Sequence, residues 1–227
     1  MERILAYAVG RVSGETVRRL LQAEFLAFYL AIPLLMAVAM PPAYLFPALF
    51  AFTILGAFLL QITPGFRWRD LVTGFSRIDW GFVGGFALVT VAAATGFILL
   101  LRPEAFLVLA RDKPDLLAMI WVFYPWFSAL PQELIFRPLF FRRYGGLMPS
   151  RRLAILFNGA LFSFAHLMYW NLPALVLTFA GGVAFAWAYE KQRNFPAAVL
   201  MHALAGGILF SLGLGVWFFT GNIVRPF

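Results

Sequence analysis

The sequence predicts an all-α fold: a polytopic membrane helical bundle of about seven transmembrane helices, forming a single membrane domain over residues 1–227. Three observations predict it. Hydrophobic residues make up 63% of the chain and charged residues only 12%, where a soluble domain carries about 25% charged residues. Its 27 Phe and 7 Trp exceed what one water-soluble core of 227 residues can hide. Apolar stretches also recur at close to the roughly 20 residues needed to cross a hydrocarbon core of about 30 Å. These features exclude an ordinary soluble enzyme, a nucleic-acid-binding module and a disordered chain. The absence of cysteine excludes disulfides, thiolate metal sites and a Cys nucleophile.

Seven stretches are long and apolar enough to span: 22–40, 43–62, 80–101, 116–141, 153–170, 172–189 and 196–220. Backbone chemistry separates them. Pro41-Pro42 ends the first, Thr63-Pro64-Gly65 the second and Arg102-Pro103 the third. Gly145-Gly146 and Pro149-Ser150 divide the fourth from the fifth, with Ser150 placed to cap the fifth. Asn171-Leu172-Pro173 leaves a very short connection before the sixth, and 191–194 make the last turn before Pro196. Gly81 with Gly85, and Gly182 with Ala186, are small-residue pairs that let helices approach closely.

Positive charge assigns the two ends of the bundle. Arg3, Arg11, Arg18 and Arg19 precede the first span, and Arg67, Arg69 and Arg77 follow the second. Arg142, Arg143, Arg151 and Arg152 follow the fourth, and Lys191 and Arg193 follow the sixth. The other end holds only Arg102, Arg111, Lys113 and Arg225. This bias places the N-terminus in the cytoplasm and the C-terminus outside. Residues 1–21 read as a cytoplasmic or interfacial segment, with Ile4, Leu5, Val12 and Leu20 turned to lipid, and the first span reads as retained rather than cleaved.

Few ionisable side chains fall inside the spans, and each is costly there unless paired or hydrated. Glu24 sits at the edge of the first span, within reach of the interface. Glu133 and Arg137 lie deep in the fourth, His166 in the fifth and His202 in the seventh; the chain has no other histidine. Four residues apart on a helix, Glu133 and Arg137 share a face and can pair. By helical rise, Glu133 lies about 13 Å, His166 roughly 20 Å and His202 roughly 9 Å from the arginine-rich end. These depths suit one cavity open to the cytoplasm. One carboxylate and two imidazoles suffice to activate a water and stabilise an oxyanion. They are also donor types for a zinc site, although the H-E-x-x-H pattern is absent.

Gln132-Glu133-Leu134-Ile135-Phe136-Arg137 resembles the E-E-x-x-x-R motif of the CAAX protease and bacteriocin-processing family. Phe162 to His166 matches that family's F-x-x-x-H, and His202 to Gly206 matches the His of its H-x-x-x-N. Phe179 to Tyr189 resembles the Gly-bearing helix between the last two motifs. The resemblance covers 115–210. It implies an intramembrane endopeptidase in which Glu133, His166 and His202 activate a water, Arg137 orients Glu133, and Gln132 and Phe162 line the site. It implies a membrane-associated peptide or protein as substrate, the lipid bilayer as surroundings, no nucleic acid as partner, and a bacterial inner membrane as location. Two positions depart from the pattern. Gln132 replaces the first Glu, and Gly206 replaces the Asn expected to help bind the oxyanion. Two other readings therefore stay open. One is a catalytically silent membrane binding or immunity partner, and the other is a small proton-coupled transporter.

Overall fold

The computed structural model describes residues 14–225. Over these residues it is helical, with no strand. Among the described residues six helices are long and apolar enough to cross a membrane: α1 (Gly14–Ala39), α2 (Pro42–Gln61), α3 (Trp80–Leu101), α5 (Arg151–Tyr169), α6 (Leu172–Gln192) and α7 (Phe195–Leu212). The expected fourth span lies within a continuous helical run over 114–144, here α4, which alternates α and π turns. The chain is an integral membrane protein.

The π turns of α4 follow from its sequence. Pro125, Pro131 and Pro138 each lack the N–H that an α-helical ladder needs, and the helix is π-wound over Pro125–Ala129 and Ile135–Tyr144. Neighbouring side chains bond the carbonyls of the second π segment. Tyr29 donates its hydroxyl to the Ile135 carbonyl at 2.7 Å, and Asn158 Nδ2 donates to the Phe136 carbonyl at 2.7 Å. Buried backbone acceptors in a bundle need such partners, and π turns are frequent at functional sites.

Polar caps start α3, α5, α6 and α7 where the sequence changes from turn to apolar run. Asp79, Ser150, Asn171 and Asn194 accept from Phe82, Leu153, Ala174 and Ala197 backbone N–H groups respectively. Asn194 also donates to the Gly74 and Arg77 carbonyls, tying the connection before α3 to the start of α7. At the same end, Glu24 does more than meet the interface. It accepts from Arg143 at 2.7 Å and from the Tyr144 hydroxyl, fastening α1 to the end of α4.

Three expectations change. The seventh span ends at Leu212 rather than at 220, because Gly213 takes φ +101° and the chain turns back in short 3₁₀ turns. A Cβ at Gly213 would lie 2.0 Å from the Ala105 carbonyl oxygen, so glycine alone permits this approach. Gly85 has nothing within 4 Å of its Cβ position, and Gly81 meets only the Asp79 side chain, so that pair does not seat a neighbouring helix. Gly182 does, with its Cβ position 3.0 Å from the Gly159 Cα of α5. Of the N-terminal segment, residues 14–21 are the first turns of α1, and the rest lies outside the described residues.

Aromatic packing fills the core. Phe25, Phe28, Tyr29, Phe136, Phe140, Tyr144, Phe162 and Phe185 are all buried in one cluster. Tyr29 meets Phe136, Phe140 and Tyr144 edge-on at 5.7–5.8 Å between centroids, a favoured geometry for aromatic rings. This cluster packs against the polar site and fixes α1, α4, α5 and α6 around it.

Candidate active site

Glu133 and Arg137 are both fully buried, and the i,i+4 spacing on α4 brings them together as expected. Arg137 Nε donates to Glu133 Oε2 at 2.7 Å, and Nη2 donates to Oε1 at 3.3 Å. The remaining guanidinium face is also held. Nη1 donates to Asn158 Oδ1, and the Phe162 and Phe185 rings lie 5.2 and 5.8 Å from the guanidinium carbon. A buried ion pair persists only when its charges and remaining polar atoms are satisfied, and here they are.

His202 on α7 completes this cluster. Its Nδ1 lies 2.9 Å from Glu133 Oε1. An ionised carboxylate only accepts, so Nδ1 carries the proton. Nε2 lies 3.0 Å from the Tyr124 hydroxyl, and in the neutral ring it is the lone-pair nitrogen that accepts from that hydroxyl. Phe185 stacks on the imidazole at 4.9 Å with 10° between planes, and Phe162 meets it edge-on at 5.4 Å. The ring is thus fixed by a carboxylate, a phenol and two aromatic faces.

His166 is held differently. It begins the 3₁₀ turn at the end of α5, and its Nδ1 lies 2.7 Å from the Phe162 carbonyl. A carbonyl cannot donate, so Nδ1–H is the donor and Nε2 bears the lone pair. Phe162 packs against both imidazoles, 4.6 Å from His166.

A cavity of about 240 Å³ joins these groups. His166, His202, Tyr124, Gln132, Ser128 and Phe162 line it. A narrower apolar cavity, walled by Met36, Phe46, Leu49 and Phe52, shares Gln132, His166 and Ser128 with it. Glu133 lines neither cavity. Of the adjacent pair on α4, Gln132 faces the space, where its amide donates to Ser128 Oγ at 2.9 Å, and Glu133 stands behind His202. Successive helical residues diverge by about 100°, and here that step turns Gln132 to the space and Glu133 to Arg137 and His202.

The cavity lies at the opposite end of the bundle from that expected. Phe46 at the start of α2, Tyr169 at the end of α5, and Phe218 to Thr220 after α7 all line it. Those segments adjoin the connections poor in arginine. The arginine-bearing connections sit at the far end, where Arg142, Arg151 and Arg193 line a separate cleft. A depth of roughly 20 Å already puts His166 past the middle of a core about 30 Å thick, and the residue closes the regular turns of α5 at that end.

Residues 114–208 match the family model described as type II CAAX prenyl endopeptidase Rce1-like. Over those residues the chain is similar to that family. The match takes in α4 to α7 up to residue 208 and every residue of the cluster above. No curated protein and no solved structure matches the chain. The family consists of membrane proteases, which agrees with a polar cluster enclosed among apolar helices.

The residues do not fit a zinc ligand set. Both Glu133 oxygens are engaged by Arg137 and His202, and among the described residues no three His, Cys, Asp or Glu side chains converge as ligands. Three members of the site carried no sequence motif. Asn158, fully buried in an apolar helix, had a legible signal as a polar residue inside a span. Tyr124 and Ser128 carry no such signal, since aromatic residues and serines are ordinary constituents of a membrane span.

Proposed function

We propose that this chain is an intramembrane endopeptidase whose cavity hydrolyses a peptide bond with a histidine-activated water. One observation carries the reading. His166 presents a lone-pair nitrogen in the same cavity as His202, which is fixed through Glu133 and Arg137. An imidazole lone pair within hydrogen-bond reach of a water can take its proton, the task of a general base.

In this mechanism His166 Nε2 takes a proton from water as the water oxygen bonds to the peptide carbonyl carbon. The carbonyl π electrons move onto oxygen. Collapse of that oxyanion breaks the C–N bond, and His166 returns the proton to the departing amine. His202 and the Gln132 amide border the reacting carbonyl. The share of water activation expected of Glu133 passes to histidine in this mechanism, because its carboxylate is fully buried and lines no cavity. Glu133 instead holds the His202 tautomer, Arg137 holds Glu133, and Asn158 holds Arg137.

The apolar cavity beside Gln132 and His166 supports a lipidated or membrane-embedded peptide as substrate. Its Phe and Leu walls suit a hydrocarbon chain held next to the scissile bond. With the N-terminus cytoplasmic, as the arginine bias requires, the cavity faces away from the cytoplasm. The test is hydrolysis of a farnesylated, fluorescence-quenched CAAX peptide in liposomes. Cleavage by the wild type that His166→Ala abolishes supports the reading. Cleavage that survives His166→Ala refutes it.

A second reading rests on Gln132. An amide stands where the family places its first carboxylate, so the cavity itself contains no carboxylate. A silent relative that binds a membrane peptide without cutting it would show saturable binding of the same probe and no cleavage.

A further inference from the structure

Position 206 opens onto the cavity. A Cβ placed there would lie 2.2 Å from Tyr124 Cε1, 2.4 Å from Cζ and 2.8 Å from the hydroxyl oxygen. No side chain at 206 can coexist with Tyr124 as it stands. The space that glycine vacates is filled by a phenol reaching across from α4. We propose that Tyr124 is a catalytic residue of this site, its hydroxyl donating to the carbonyl oxygen of the reacting peptide, and that Gly206 is the residue that admits it. The inference rests on the endopeptidase reading above.

The ring is placed for the role. It packs edge-on against His202 at 5.9 Å and Phe210 at 6.0 Å. Its hydroxyl lies 3.0 Å from His202 Nε2, so Glu133, His202 and Tyr124 form one hydrogen-bonded row ending in the cavity. Rotation about the phenol C–O bond turns the O–H from Nε2 to a substrate oxygen without moving any heavy atom. Such a preset donor stabilises charge as it develops and needs little reorganisation. A motif asparagine at 206 would have offered an amide to the same chamber. Here the donor comes from the facing helix.

The test uses the farnesylated quenched peptide and a phosphinate version of it, which mimics the tetrahedral intermediate, with full-length protein in liposomes. Loss of one oxyanion donor typically lowers kcat by about 10²–10³, so Tyr124→Phe should cause that loss with KM little changed. It should weaken phosphinate binding by a similar factor and leave peptide binding, measured in His166→Ala protein, unaltered. The paired change Tyr124→Ala with Gly206→Asn should recover cleavage relative to Tyr124→Ala alone. If Tyr124→Phe cleaves at the wild-type rate while His166→Ala is inactive, the Tyr124 role falls and the endopeptidase reading stands. Failure of the paired change to exceed Tyr124→Ala overturns the exchange between the two positions. A wild type that neither cleaves the peptide nor binds the phosphinate more tightly than the peptide overturns both.

Discussion

Glu133→Gln is nearly isosteric, yet it removes one charge from a fully buried pair. Arg137 would keep its positive charge at zero exposure, with the Asn158 carbonyl oxygen and two aromatic faces as its remaining partners. Breaking a buried pair by deleting one partner typically costs about 3–5 kcal/mol, because the other charge is left uncompensated. Removing both charges with Glu133→Gln and Arg137→Met costs much less, since no orphan ion remains. The substituted amide can still accept from His202 Nδ1, so the fold around the imidazole survives in the double variant. Its tautomer is no longer enforced, because an amide can present either a donor or an acceptor. Unfolding in detergent, followed by tryptophan fluorescence, should therefore rank wild type first, the double variant close behind and the single variant about 3–5 kcal/mol lower. Peptide cleavage should fall in both variants. A single variant as stable as the wild type would show that Arg137 does not depend on this carboxylate. Full cleavage by the double variant would remove Glu133 from the mechanism altogether.

Four further outcomes are expected. His166→Ala should lower cleavage by roughly 10²–10⁴, the usual worth of a general base, with little loss of stability, since the ring bonds the Phe162 carbonyl of its own helix and ties no second helix through that bond. Gln132→Glu should raise the cleavage rate by returning a carboxylate to the cavity; a fall would count against a shortage of bases there. Gly213→Ala should destabilise the protein by more than about 1 kcal/mol, through positive φ and a Cβ 2.0 Å from the Ala105 oxygen, and thermal unfolding would read it. Reporter fusions at residues 146 and 227 should report opposite sides of the membrane, the first cytoplasmic; both on one side would contradict the charge assignment.

Much of the bundle was legible because each governing signal was local. Runs of apolar residues set six helices, prolines and capping residues set their ends, and the i,i+4 spacing gave the Glu133–Arg137 pair. The errors arose where a distant residue decided the outcome. Gly213 ends α7 because the Ala105 carbonyl approaches it, a contact across more than 100 residues that no window of sequence contains. The orientation of Gln132 against Glu133 is likewise set by His202 and Asn158 on other helices, since both residues sit on an equally apolar stretch of α4. The depth count at His166 held, because the chain is regular α-helix over Arg151–Ala165; the error lay in assigning a depth of roughly 20 Å to the near half of a core about 30 Å thick. Helix length told where the membrane was crossed, but not which end of the crossing held the chemistry. Charge bias and cavity position are therefore independent facts about this protein. The arginines gather at one end and the imidazole-lined cavity lies towards the other, so a peptide would reach the site from the side that the arginines avoid.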